Sequence, residues 1–128
     1  MEWVINMMDL LTFIYEQIQS VYTKTYFEKA PQGTEYPYVV YRMPNTSEVE
    51  VREDTVLEVD VWTNTGDIVE LETITDNVDK KLNRLSNLDA NFQCKIYRDN
   101  PYKLNIPDED PIIDRRRLRY NIKLYRRG

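Results

Sequence analysis

Tyr36-Pro37-Tyr38-Val39-Val40-Tyr41-Arg42, a turn at Met43-Pro44-Asn45-Thr46, and alternating residues as far as Leu57-Glu58-Val59-Asp60-Val61-Trp62 form the stretch whose reading decides the fold. Leu57, Val59 and Val61 alternate with Glu58 and Asp60, and Val49 and Val51 alternate with Glu48, Glu50 and Arg52. A period of two with one apolar and one polar set belongs to strands with a dry face and a wet face. The stretch therefore predicts an antiparallel meander, with the short polar segment Arg52-Glu53-Asp54-Thr55 as a hairpin connection and the following strand ending at Trp62. In its first strand Tyr36, Tyr38 and Val40 share one face and Val39, Tyr41 and Met43 the other, so both faces carry apolar groups to cover.

The dry face of such a meander needs a lid, and the flanking sequence supplies two. Before it, Met7, Leu11, Ile14, Ile18 and Val21 recur at three or four residues, along one side of a helix. After it, Asn64-Thr65-Gly66-Asp67 stops the strand, and Asp67 with Glu70 has the spacing of a capping box. Ile68, Leu71, Ile74, Val78, Leu82 and Leu85 then form a second apolar stripe, with Asp76, Asp79, Lys80, Lys81 and Arg84 expected on a solvated flank. Residues 23–35 lose the period and contain Pro31 and Gly33, the marks of a loop, with Tyr26 and Phe27 packing beneath it.

Beyond the second helix, Ser86-Asn87-Leu88-Asp89-Ala90 reads as its terminator and Phe92-Gln93-Cys94-Lys95-Ile96-Tyr97-Arg98 as a strand. Residues 99–114 hold Pro101, Pro107 and Pro111 among acids and asparagines and predict a long irregular segment, of the kind that is either mobile or functional. A last strand over residues 117–126 turns Leu118, Tyr120, Ile122 and Leu124 inward and Arg117, Arg119, Asn121, Lys123 and Tyr125 outward. The fold class that follows is α+β: two amphipathic helices packed on a mostly antiparallel twisted sheet of about five strands, in a single domain spanning the chain.

Composition agrees with a domain that buries a core. The chain has 128 residues, 41% of them hydrophobic and 30% charged, outside the ranges of disordered and membrane-spanning chains. Its longest apolar run is a few residues, against the roughly 20 that span a bilayer. Glu2 and Asp9 interrupt the N-terminal apolar stretch with no basic region before it, which is unlike a secretory signal and predicts a soluble intracellular product. Cys94, the one cysteine, alternates with Phe92 and Ile96 and reads as an inert core thiol.

Signs of catalysis are few. Without any histidine, the commonest general base and metal ligand is missing. Gly33, Gly66 and Gly128 lie too far apart for a phosphate-cradling loop. Asp108, Glu109 and Asp110 lack the spacing of a calcium loop and read as a solvated loop tip. Charge is more informative. The net charge of −5 divides into seven basic residues and no acid from Arg115 onward, against ten basic and 22 acidic residues before it. That asymmetry points to a charged partner or a charge-matched neighbour. Three readings use it: phosphate binding by Arg117, Arg119 and Lys123 with Tyr125 stacking a base; pairing of those arginines with Glu58 and Asp60 across the sheet; or a basic edge docking on the acidic surface of a neighbouring copy, which closes a ring when the rotation is right.

The element order, with Tyr36-Pro37-Tyr38-Val39-Val40-Tyr41-Arg42, Val59-Asp60-Val61-Trp62 and Arg117-Leu118-Arg119-Tyr120, resembles the tail terminators, or tail completion (tail-to-head joining) proteins, of tailed bacteriophages and prophage-like elements. The resemblance covers nearly the whole chain. It implies a virion assembly protein without catalytic residues, cofactor or metal, present in the host cytoplasm during assembly and then at the head-proximal end of the tail. There it is expected to form a hexameric ring with copies of itself, to end tail-tube polymerisation, and to contact the tail-tube protein and a neck or head-completion protein. DNA is expected to pass through without specific binding, and no membrane partner is implied. Under this reading the subunit or tube interface falls on Arg115, Arg116, Arg117, Arg119, Lys123, Asp108, Glu109 and Asp110. An acidic bore or complementary face falls on Glu48, Glu50, Glu53, Asp54, Glu58 and Asp60. Head completion and stopper proteins of the phage neck are alternatives of similar size, and a small nucleic-acid-binding module using the basic C-terminal strand is the alternative outside that class.

Overall fold

The structure, a computed structural model, describes residues 2–126. Arg127 of the basic run, and the side chain of Arg126, lie outside the described residues. Two helices, α1 (Glu2–Gln19) and α2 (Ile68–Leu82), lie on one side of a seven-stranded sheet. Its strands are β1 (Thr25–Phe27), β2 (Tyr38–Arg42), β3 (Thr46–Val49), β4 (Arg52–Thr63), β5 (Ser86–Leu88), β6 (Phe92–Asn105) and β7 (Asp114–Arg126). They lie in the order β1-β2-β4-β7-β6-β5, with β3 beside the first part of β4, and every pairing is antiparallel except β1 with β2. The α+β architecture is the one expected, with two more strands.

The frame is the β4–β7 pair, twelve residues in continuous register from Arg52↔Tyr125 to Thr63↔Asp114. Leu57, Val59 and Val61 of β4, Leu118, Tyr120, Ile122 and Leu124 of β7, and Phe92, Cys94 and Ile96 of β6 turn to the helices and are buried. Leu10, Ile14 and Ile18 of α1 and Leu71, Ile74, Val78 and Leu82 of α2 meet them in one core. Each such side chain, fully removed from water, contributes about 1.5–3 kcal/mol. The α1 stripe runs through Leu10; Leu11, at the equally helical spacing of four from Met7, is half-buried on the flank.

At its N-terminus α2 is capped by Asp67, whose carboxylate accepts from the amides of Val69 (2.9 Å) and Glu70 (3.2 Å). Glu70 does not reach back to the Asp67 amide; the Thr65 hydroxyl accepts that proton and donates to Glu70. Asp79, expected on the solvated flank, is buried: the Tyr120 hydroxyl donates to it at 2.6 Å, and Arg98 holds its second oxygen while lying 3.9 Å from the centre of the Tyr102 ring. Burial first, and then this acceptor, raise the Tyr120 pKa far above the ordinary phenol value.

Four further expectations are corrected. The loop over residues 23–35 contains β1, where Tyr26 packs edge-on to Tyr38 and Phe27 against Tyr41. Met43-Pro44-Asn45-Thr46 is not a reversal: β2 and β3 run along the same edge of β4, and the step from Arg42↔Glu58 to Thr46↔Thr55 inserts one extra residue, a bulge. The reversal comes instead at Glu50 and Val51, with Glu50 at φ 54°, so residues 52–55 are strand. Val49 and Val51 consequently sit on an exposed hairpin, Val51 with 84% of its surface accessible, and Glu53 and Thr55 take the inward positions. Finally, β6 continues through Pro101 to Asn105; the proline falls where the β6–β7 register jumps between Arg98 and Lys103, so its missing amide interrupts no ladder. Only residues 106–113 remain a loop.

Candidate assembly surface

The sheet face turned away from the helices carries half of the residues singled out by charge: Arg115, Arg117, Arg119, Lys123, Asp54, Glu58 and Asp60. Successive residues of β7 alternate faces, which splits the arginine run. Arg115, Arg117 and Arg119 point outward opposite Trp62, Asp60 and Glu58. Arg116 points to the helix side, where Glu72 of α2 accepts from its Nε at 2.8 Å and from Lys103 at 3.1 Å. Burial pushes the Glu72 pKa up, but the hydrogen bonds from Arg116 and Lys103 outweigh it and leave the carboxyl below its ordinary value.

On the outward face Asp60 is the hub. Arg117 grips it with Nε and Nη2 at 2.9 and 3.1 Å, a bidentate fork, and Arg115 donates from Nε at 2.9 Å. The side chains of Asp60, Arg115 and Arg117 keep only 5%, 20% and 18% of their surface, so this cluster is largely dry. The hydrogen bond to Asp60 raises the Arg117 pKa further above its already high value. Glu58 takes Arg42 at 2.9 Å and lies 3.8 and 3.9 Å from Arg117 and Arg119, while Arg119 also reaches Asp99 at 3.3 Å. At one end of the row the Arg115 guanidinium lies over Trp62, 4.4 Å from the ring centre, and Trp62 stacks on Tyr38 at 5.9 Å. Those aromatics, with Arg42 and residues 28–34, line a hollow of about 540 Å³.

Two sets of residues expected on separate surfaces are thus brought together. Glu58 and Asp60 of the acidic set neutralise Arg115, Arg117 and Arg119 of the basic set within one chain. Asp54 likewise accepts from Arg52 at 3.0 Å, and Glu53 is buried on the inward side. Glu48 and Glu50 are exposed on the β3–β4 hairpin. Asp108 and Asp110 close turns in loop 106–113 by accepting the amides of Asp110 and Ile112 at 3.0 and 3.1 Å, and Glu109 is exposed beside them. That loop and the hairpin tip lie at opposite ends of the β4–β7 pair, roughly 35 Å apart at about 3.3 Å per residue. Lys123, in the outward row Ser47–Asp54–Lys123–Lys95–Ser86, has its Nζ 5.7 Å from the centre of the Tyr97 ring. Arg42, Trp62 and Asp99 were not singled out from the sequence as site residues; the β2–β4 register brings Arg42 to Glu58, the β4–β7 register brings Trp62 to Arg115, and β6 carries Asp99 to Arg119.

No curated protein matches the chain. The model of one protein family, "Tail completion protein gp17", matches residues 15–121. The chain belongs to that family. As a tail completion protein it is a structural component of phage-type tails, in agreement with the resemblance drawn from Tyr36–Arg42, Val59–Trp62, Arg117–Tyr120 and the element order. Among solved structures, a chain in one titled "Virion of native gene transfer agent (GTA) particle" is similar over 88% of this chain and 91% of its own length, with a TM-score of 0.70 at 12% identity, a likeness of fold. No helix among the described residues of this tail completion protein is long and apolar enough to cross a membrane.

Proposed function

We propose that this tail completion protein caps the head-proximal end of the tail tube as a hexameric ring, ends tube polymerisation there, and offers its other side to the neck of the capsid. The observation that carries the reading is the family match over residues 15–121. Its geometry suits a cap: the two ends of the long β4–β7 pair are unlike, one carrying the acidic loop 106–113 and the other the exposed β3–β4 hairpin. A subunit with unlike ends can bind a tube rim on one side without repeating on the other the surface that templates growth. Its partners under this reading are copies of itself, the tail-tube protein and a neck protein, met in the host cytoplasm and kept in the virion.

Charge pairing on the outward face also bears on DNA. Arg115, Arg117 and Arg119, which would otherwise hold phosphates, are occupied by Asp60, Glu58 and Asp99. Such a face lets DNA pass without the counterion-releasing grip of a free arginine row. A nucleic-acid-binding module is the weaker reading for the same reason. Purified chain added to polymerising tail-tube protein tests the proposal: tube growth stops at one end, with the chain bound there and DNA not retarded at physiological salt. Continued growth at both ends, or salt-dependent DNA retardation by the chain alone, contradicts it.

A further inference from the structure

At the hairpin end of the outward face the charges do not cancel. Lys95 of β6 stands directly opposite Lys123 of β7, a like-charge pair that costs stability inside one sheet. Arg84 and Lys95 line a hollow of about 370 Å³ with Leu85, Ser86 and Tyr97, and the Tyr97 ring also meets the Lys123 ammonium. Among the described residues no carboxylate pairs with any of these three cations. Asp54, opposite Lys123 on β4, is held by Arg52 at 3.0 Å, and Asp89, just past β5, accepts from the Asn87 side chain and the amides of Asn91 and Phe92. Two exposed apolar groups flank the cations on the same face: Tyr97, 40% accessible and two residues on from Lys95, and Leu88, 65% accessible and two on from Ser86.

The opposite charge, also unpaired, sits in loop 106–113. Asp108, Glu109 and Asp110 are exposed and hold no cation among the described residues; Asp108 and Asp110 each give one carboxylate oxygen to a loop amide and keep the other. Pro107, Pro111 and Ile112 are exposed on either side of them, Ile112 with 50% of its surface accessible. The loop thus presents acids between apolar groups, as the patch presents cations between apolar groups. It cannot reach the patch of its own chain. The loop rejoins the sheet at Asp114, roughly 30 Å from Lys123 along β7 at about 3.3 Å per residue, and tethered at both ends it folds back over about 14 Å at most.

We infer that the acidic loop of one copy docks on the patch formed by Arg84, Lys95 and Lys123 of the next. The occupant of the patch is a second copy of this chain. Loop and patch are unlike surfaces toward opposite ends of one sheet, so the contact is head-to-tail and, repeated from copy to copy, closes a ring by rotation. It offsets the repulsion between Lys95 and Lys123, and it rejects loop-to-loop and patch-to-patch contacts, where like charges meet. The inference rests on the ring reading and assigns its contact.

Head-joined particles, counted in cells that make no wild-type chain, are the first readout. R84E/K95E and E109K/D110K each lower their number roughly tenfold or more, because like charges then face each other. The four substitutions in one chain restore it, since loop and patch are again opposite, whereas two folding defects combined do not recover. Wild-type yield from either pair alone, or no recovery from the combination, overturns the inference. In isolated wild-type tails a carbodiimide, which joins a carboxylate to a touching amine, is expected to couple Asp108, Glu109 or Asp110 of one copy to Lys95 or Lys123 of another, located by mass spectrometry. Tails that carry several copies without this link overturn the docking and leave the ring standing; tails that carry a single copy overturn both. DNA bound by the purified chain and released by R84E/K95E assigns the patch to phosphate and overturns the docking as well.

Discussion

Asp60 shows how a residue expected on an acidic surface becomes a structural one. Its carboxylate is surrounded by the guanidiniums of Arg115 and Arg117, and removing its charge leaves two cations in a nearly dry site. Arg117 keeps Glu58 at 3.8 Å and both arginines retain some solvent, so Asp60→Asn is expected to cost about 2 kcal/mol, read as a lower urea midpoint, below the range for a fully buried pair. Arg115→Ala costs less, because Arg117 still satisfies Asp60. Glu72 adds a pH dependence. With its carboxyl held below the ordinary value of 4.5, its pairing with Arg116 and Lys103 stabilises the fold fully above that value, and the contribution is lost as the pH falls through the lowered folded-state pKa. The stability difference between wild type and Glu72→Gln is therefore expected at pH 7 and expected to vanish in acid; a constant difference down to pH 3 contradicts this linkage. Asp79 is a case the sequence could not disclose: its spacing beside Asp76 and Lys80 is that of a polar flank, and only the placement of Tyr120 and Arg98 opposite it explains its burial.

At the scale of elements, the long alternations were legible and the short ones were not. β4 from Leu57 onward, β7 and the α2 stripe carry enough repeats for period and burial to agree. The Asp67 cap was legible for the same reason, a short acidic side chain placed just before an apolar helical run. Asp67→Ala is expected to destabilise the protein by about 1 kcal/mol, measured by denaturant unfolding, with Asp67→Asn close to wild type. Val49 of β3 and Val51 of the turn alternate as correctly as the valines of β4, yet they are exposed, because the chain reverses at Glu50 and Val51 and carries the hairpin beyond its own core. Periodicity reports which residues share a face, not whether anything covers it. β1 and β5, three residues each, are too short for a period to register. Pro101 reads as a loop marker in isolation and is tolerated in β6 only because the register jumps there.

At the scale of the whole molecule, the arginine row of the outward face is neutralised within the chain. A run of seven basic residues suggested a docking strip, but pairing with Asp60, Glu58 and Asp99 neutralises its outward arginines. This redistribution depends on register, and register depends on the turn at Glu50, which a single sequence read strand by strand misplaces. Family membership was legible from three strings and the element order; which charges remain unpaired was not, since that is decided only after the chain has folded on itself.

The central claim, that this chain terminates a tube, is tested most directly by the length distribution of tails made in its absence, measured by electron microscopy. The account predicts tubes extended well beyond the wild-type length and unattached to heads, with normal length and attachment restored when the chain is supplied. Tails of normal length joined to heads without it contradict the account.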